Sequence, residues 1–97
     1  MVQVTVKVSD LAFDVSVDGH ATDRRGCAVI SSFFFQLHGY LERFCDEFSA
    51  EWDKGCGRIC GARSAYTDVA LKMFVVGCMQ TAATLPQDVA FQCDFDF

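Results

Sequence analysis

Between Val2 and Val17 the apolar residues fall on every second position, and the phase of the alternation shifts once. Val2, Val4, Val6 and Val8 alternate with Gln3, Thr5 and Lys7; Ser9-Asp10 interrupts them; Leu11, Phe13, Val15 and Val17 then carry the pattern on odd positions. A period of two marks a half-buried strand. Ser and Asp supply turn chemistry, and so tight a link predicts an antiparallel hairpin. A ribbon with one apolar face must be covered, so the rest of the chain has to supply the cover.

The period changes after Cys27. Ile30, Phe33, Phe34, Leu37, Leu41, Phe44, Cys45 and Phe48 recur at steps of three and four, which predicts an amphipathic helix opening at or just after Cys27 and running to about Glu47. Ser31, Ser32, Gly39, Glu42, Arg43 and Asp46 lie off the stripe. Phe35 lies off it too, as a partly exposed ring or as a contact for a second subunit or a bound peptide. His38 reads as a helix-surface histidine. Phe48 to Trp52 reads as a short strand, Asp53-Lys54-Gly55 as a turn, and Cys56 to Ala62 as a strand weakened by its glycines. Ser64 or Thr67 can cap a second helix with Asp68 in its first turn. That helix carries Ala70, Met73, Phe74, Val76, Gly77 and Cys78 and should end before Pro86. Val89, Phe91, Cys93, Phe95 and Phe97 alternate with Gln92, Asp94 and Asp96 in a closing strand. The order is ββαββαβ: an α+β two-layer domain spanning 1–97, one mostly antiparallel sheet under two helices.

The net charge of −5 argues against direct nucleic-acid binding, which needs a basic face, and suits a basic partner such as a lysine-rich peptide. No apolar run reaches the roughly 18 residues that span a bilayer, so no membrane partner is expected. The alternating N-terminal stretch does not read as a signal peptide. The six cysteines are therefore expected to be reduced thiols of a cytoplasmic protein. Cys45, Cys78 and Cys93 fall in apolar patterns and read as packing residues. Cys56 and Cys60 have no second pair at zinc-finger spacing, so neither a metal nor another cofactor is expected.

Cys27 differs from the others. His20 ends the second strand and Cys27 stands seven positions later, across a polar loop with Gly19 and Gly26 near its ends. An imidazole near a thiol can take its proton and make the attacking thiolate. A helix N-terminus and the adjacent Arg24 and Arg25 favour that anion. Loops between regular elements are where functional residues concentrate.

Asp18-Gly19-His20-Ala21 and Gly26-Cys27-Ala28-Val29-Ile30-Ser31, with Met79-Gln80-Thr81 late in the second helix, resemble the bacterial ribosomal-processing cysteine proteases (Prp). The resemblance extends over nearly the whole chain. It implies Cys27 as nucleophile, His20 as general base, and Ser31 as a serine near the nucleophile. It also implies a homodimer that removes the N-terminal extension of a large-subunit ribosomal protein precursor, cutting next to an aromatic residue. Such a basic precursor suits an acidic enzyme. Two departures stand out. The loop between His20 and Cys27 is several residues shorter than the family's. Arg24 also stands where the family has an acidic residue, with Asp23 beside it as a candidate substitute.

Three functions follow from these residues. The first is a cysteine endopeptidase in which Gly26 and the first helical N–H groups stabilise the oxyanion. The second is a noncatalytic peptide-binding or ribosome-associated relative. The third, suggested only by the cysteines, is a thiol redox sensor.

Overall fold

The structure, a computed structural model, describes residues 1–21 and 24–94. Among them the chain runs β1 (Val2–Val8), β2 (Ala12–Gly19), α1 (Arg24–Phe44), β3 (Phe48–Asp53), β4 (Cys56–Ala62), α2 (Ala65–Thr84) and β5 (Val89–Cys93), in the expected ββαββαβ order. The strands form one sheet, ordered β3-β4-β2-β1-β5. Neighbours are antiparallel except β1 and β5, which are parallel. The α+β reading with a mostly antiparallel sheet holds.

The register gathers the apolar set on one face. Val4 stands opposite Val17 and Val6 opposite Val15; Val15 also faces Ile59, and Val2 faces Val89. Since strand side chains alternate between faces, these residues point the same way. Ile30, Phe34, Leu37 and Leu41 of α1 and Ala70, Leu71, Phe74 and Cys78 of α2 join them in one core. The opposite face is polar; there Arg58 forks onto Asp14 at 3.1 and 2.6 Å and holds its carboxyl below the usual range. The glycine that weakened the reading of β4 has a packing cause: a methyl at Gly57 would lie 2.7 Å from the Phe34 ring.

The helix boundaries differ from expectation. α1 begins at Arg24, three residues before Cys27. Its first turn is packed: a methyl on buried Gly26 would lie 3.0 Å from Ala21 and 3.6 Å from Val89. Tertiary contact extends the helix backward. It ends at Phe44, short of Glu47, because the Glu47 carbonyl accepts the Ala62 N–H at 2.8 Å and draws the chain into the sheet. Phe48 consequently belongs to β3.

Ser64 caps α2. Its hydroxyl accepts the Thr67 N–H at 3.2 Å, while the Thr67 hydroxyl accepts the Ser64 N–H at 2.7 Å, a reciprocal capping box. The helix ends at Thr84, ahead of Pro86. Ala70, Phe74 and Cys78 face inward, whereas Met73 and Val76 face solvent with Tyr66, Val69 and Met79. In β5 Val89 is buried and Phe91 and Cys93 are half-buried; Phe95 and Phe97 lie outside the described residues. No described helix is long and apolar enough to cross a membrane.

Candidate active site

The end of β2, the first turns of α1 and the β3–β4 turn surround a cavity of about 180 Å³ lined by His20, Cys27, Ser31, Phe35, Trp52 and Gly55, among others. Gly19 makes the exit from β2 possible. Its φ of +100° is open to glycine and strained for most other residues, and a side chain there would run into the Met1 carbonyl. The Gly19 N–H donates to the Gly55 carbonyl at 2.7 Å, tying the strand end to the facing turn. His20 follows, exposed at the cavity.

Cys27 is the fourth residue of α1 and is half-buried. The N–H of Ala21, the residue after His20, donates to its Sγ at 3.1 Å. The thiol in turn faces the Ala21 carbonyl at 3.9 Å. The segment bearing the histidine thus holds the sulfur through the Ala21 backbone. Gly26, the third helical residue, belongs to the stretch whose N–H groups lack intrahelical acceptors. Ser31 lies one turn beyond Cys27, exposed and on the cavity wall. Arg24 and Arg25 occupy the first two helical positions, and no acidic residue lies in that turn. Asp23 lies outside the described residues.

One wall is aromatic. Phe35 meets Phe34 at 5.5 Å and Trp52 at 5.4 Å, both edge to face. Trp52 is 51% exposed and Phe35 48%. Phe35 is therefore neither packed in the core nor a solitary surface ring. His38 corrects its reading as a surface residue. Only 18% of its side chain is exposed, its Nε2 lies 3.4 Å from Glu42, and its ring lies 5.1 Å from Trp52 and 5.9 Å from Phe48. Trp52 and Gly55 join the site through the β3–β4 hairpin, far from the His20–Cys27 stretch in sequence. The alternation Phe48, Ala50, Trp52 held a signal for the first, since it places Trp52 on the helix-covered face.

The remaining cysteines are spread through the fold. Cys78 is buried, and burial pushes its thiol up to about 12. Cys45 is half-buried rather than fully buried, and desolvation, then the charge of Asp46, raises its thiol. Cys60 pairs with the Ser49 hydroxyl at 3.3 Å, and Cys56 is exposed. Cys56 and Cys60 stand four residues apart along β4, roughly 13 Å at strand rise, too far to hold one ion. Among the described residues no group of three potential metal ligands occurs.

No family model matches the chain, and no curated protein matches it significantly. Solved structures do share its fold. The ribosomal processing protease Prp of Staphylococcus aureus, with a covalently linked product peptide, superposes with a TM-score of 0.82 at 20% identity, over 97% of this chain and 100% of that one. The same protease with a substrate peptide gives 0.77 at 18% identity over the same shares. A protein of Streptococcus mutans gives 0.77 at 21% identity, over 96% of this chain and 93% of that one.

Proposed function

We propose that the chain is a cysteine endopeptidase of the ribosomal-processing kind, with Cys27 as nucleophile and His20 as general base. The observation that carries this reading is the shared cavity: His20 and Cys27 both line it, and the residue following the histidine donates a hydrogen bond to the cysteine sulfur. The superposition on a protease carrying a covalently linked product peptide supports it.

In this reading His20 takes the Cys27 proton, and the thiolate attacks the scissile carbonyl carbon. The carbonyl electron pair moves to oxygen, which the N–H groups at the start of α1, Gly26 among them, stabilise. Collapse of the tetrahedral species breaks the C–N bond, and His20 protonates the departing amine. Water then attacks the thioester, giving up a proton to His20. The second collapse expels the thiolate, which takes that proton back, and releases the acid. Phe35 and Trp52 provide an edge-on apolar wall suited to an aromatic side chain beside the cut. Ser31 and Asp23 support the pair. The substrate is a basic large-subunit ribosomal protein precursor, which loses its N-terminal extension and is attracted by the chain's net charge of −5. The enzyme works in the cytoplasm as a homodimer.

Incubating the reduced protein with the host's precursor and reading products by mass spectrometry tests this. The parent should release one extension peptide. Cys27→Ala and His20→Ala should each abolish release, and their combination should cost little more than either alone. Cys27→Ala should still bind the uncut precursor. A parent that binds the precursor without cutting it, over a range of pH, would replace this reading with the noncatalytic one. The shortened loop and Arg24 would then mark the loss.

A further inference from the structure

We propose that Gly55, at the β3–β4 turn, is a positioning residue that seats the imidazole of His20; this rests on the reading of His20 as the base. Gly55 has a φ of +75°, and the space a side chain would take is already occupied. A Cβ there would fall 2.5 Å from His20 Nε2, 2.9 Å from Cε1 and 3.3 Å from Cδ2. Three ring atoms lie over the bare glycine, so the imidazole packs against the turn itself.

The backbone repeats the attachment. The Gly19 N–H, one residue before His20, donates to the Gly55 carbonyl at 2.7 Å. The turn is steadied from its other side by the Asp53 carboxylate, which accepts the Lys54 N–H at 2.7 Å. An exposed histidine beyond a strand end would otherwise sample several staggered rotamers. Contacts at both backbone and ring reduce that freedom, and a base must be held in place to serve a nucleophile. The β3–β4 hairpin, which supplies no nucleophile or base, thereby becomes part of the machinery. Its distinguishing requirement is space: asparagine tolerates positive φ, yet its Cβ would still strike the ring.

The test combines a measurement on the parent with a mutant cycle. The two histidines of the chain give separable imidazole signals. A strong nuclear Overhauser effect is expected between the His20 ring protons and the Gly55 Hα protons; its absence overturns the proposal. Gly55→Asn and Gly55→Ala are then compared in the parent and in His20→Ala. Each should displace the His20 ring in the parent, removing the Overhauser contact with residue 55, and lower Tm by about 1–2 °C more there than in His20→Ala, where the ring it strikes is gone. Equal losses in the two backgrounds would reduce Gly55 to an ordinary turn glycine and overturn the proposal. On a peptide substrate, kcat of Gly55→Asn should fall on the order of a hundredfold with KM little changed. The pH profile of Cys27 alkylation should shift with it. A KM effect with unchanged kcat overturns the positioning role. If the parent cuts no peptide, the proposed protease fails while the Overhauser effect and the cycle still decide whether the turn seats the ring.

Discussion

The Cys27 sulfur accepts the Ala21 N–H at 3.1 Å and stands four residues into a helix that opens with two arginines. Cys27 also shares its cavity with His20, the base proposed to draw off its proton, so Cys27 should react first of the six thiols with limiting iodoacetamide at neutral pH. Peptide mapping would read the order. Cys56 is the stringent comparison because it is more exposed; labelling that favours Cys56 would show that access outweighs environment. Cys78 supplies the opposite case. Its thiol is raised to about 12 from an ordinary 9.0 by burial, so the folded state keeps a proton that the unfolded chain gives up. Its contribution to stability is complete below pH 9 and is lost as pH rises toward 12. Cys45, also raised, adds in the same direction. Denaturant midpoints should therefore fall steeply above pH 9 in the parent and less steeply in Cys78→Ala, which starts from a lower value because of its core cavity. Parallel slopes would contradict the burial argument.

Elements were legible where one period dominated. The alternation from Val2 to Val17 identified the hairpin, and the three-and-four spacing from Ile30 to Phe44 identified α1. The capping residues Ser64 and Thr67 located the start of α2. What the sequence concealed arises from contacts between elements. α1 starts early because Gly26 packs on Ala21 and on Val89, a residue of the last strand. His38 is half-buried because β3 lays Trp52 and Phe48 against it, and no helical pattern within α1 encodes that. In the site, His20, Cys27, Gly19, Gly26 and Ser31 could be named from a short stretch. Trp52 and Gly55 reach the cavity only through the pairing of β4 with β2 and β3. That pairing has its own requirement at Gly57. Gly57→Ala would push a methyl to 2.7 Å from Phe34 and should destabilise by about 1–3 kcal/mol, the usual range for overpacking. Thermal unfolding would measure it, and Phe34→Leu in the same chain should recover part of the loss. Full additivity of the two changes would show that they do not meet.

At the scale of the whole molecule, the outer side of α2 carries an exposed apolar stripe. Tyr66, Val69, Met73 and Val76 are 51–70% exposed and follow one another at helical spacing, a stripe of the kind that marks an interaction surface. The homodimer proposed above is best placed here, since Phe35 turns out to belong to the cavity wall. Two copies joined along such stripes would bury the same patch on each. Light scattering at micromolar concentration should give twice the chain mass, and Met73→Glu should give the monomer with an unchanged circular dichroism spectrum. A monomeric parent would remove the dimer. The sheet order carries a different consequence, one of timing. β1 pairs in parallel with β5, Val2 beside Val89, and the Val2 N–H donates to the Asp88 carbonyl at 2.8 Å. Contacts so distant along the chain close slowly. During synthesis the valine-rich strand β1 must wait as an open edge until β5 emerges, exposed to pairing with other nascent chains. Gly26, at the head of α1, packs against that same last strand, so the candidate site is also among the last parts of the molecule to come into being.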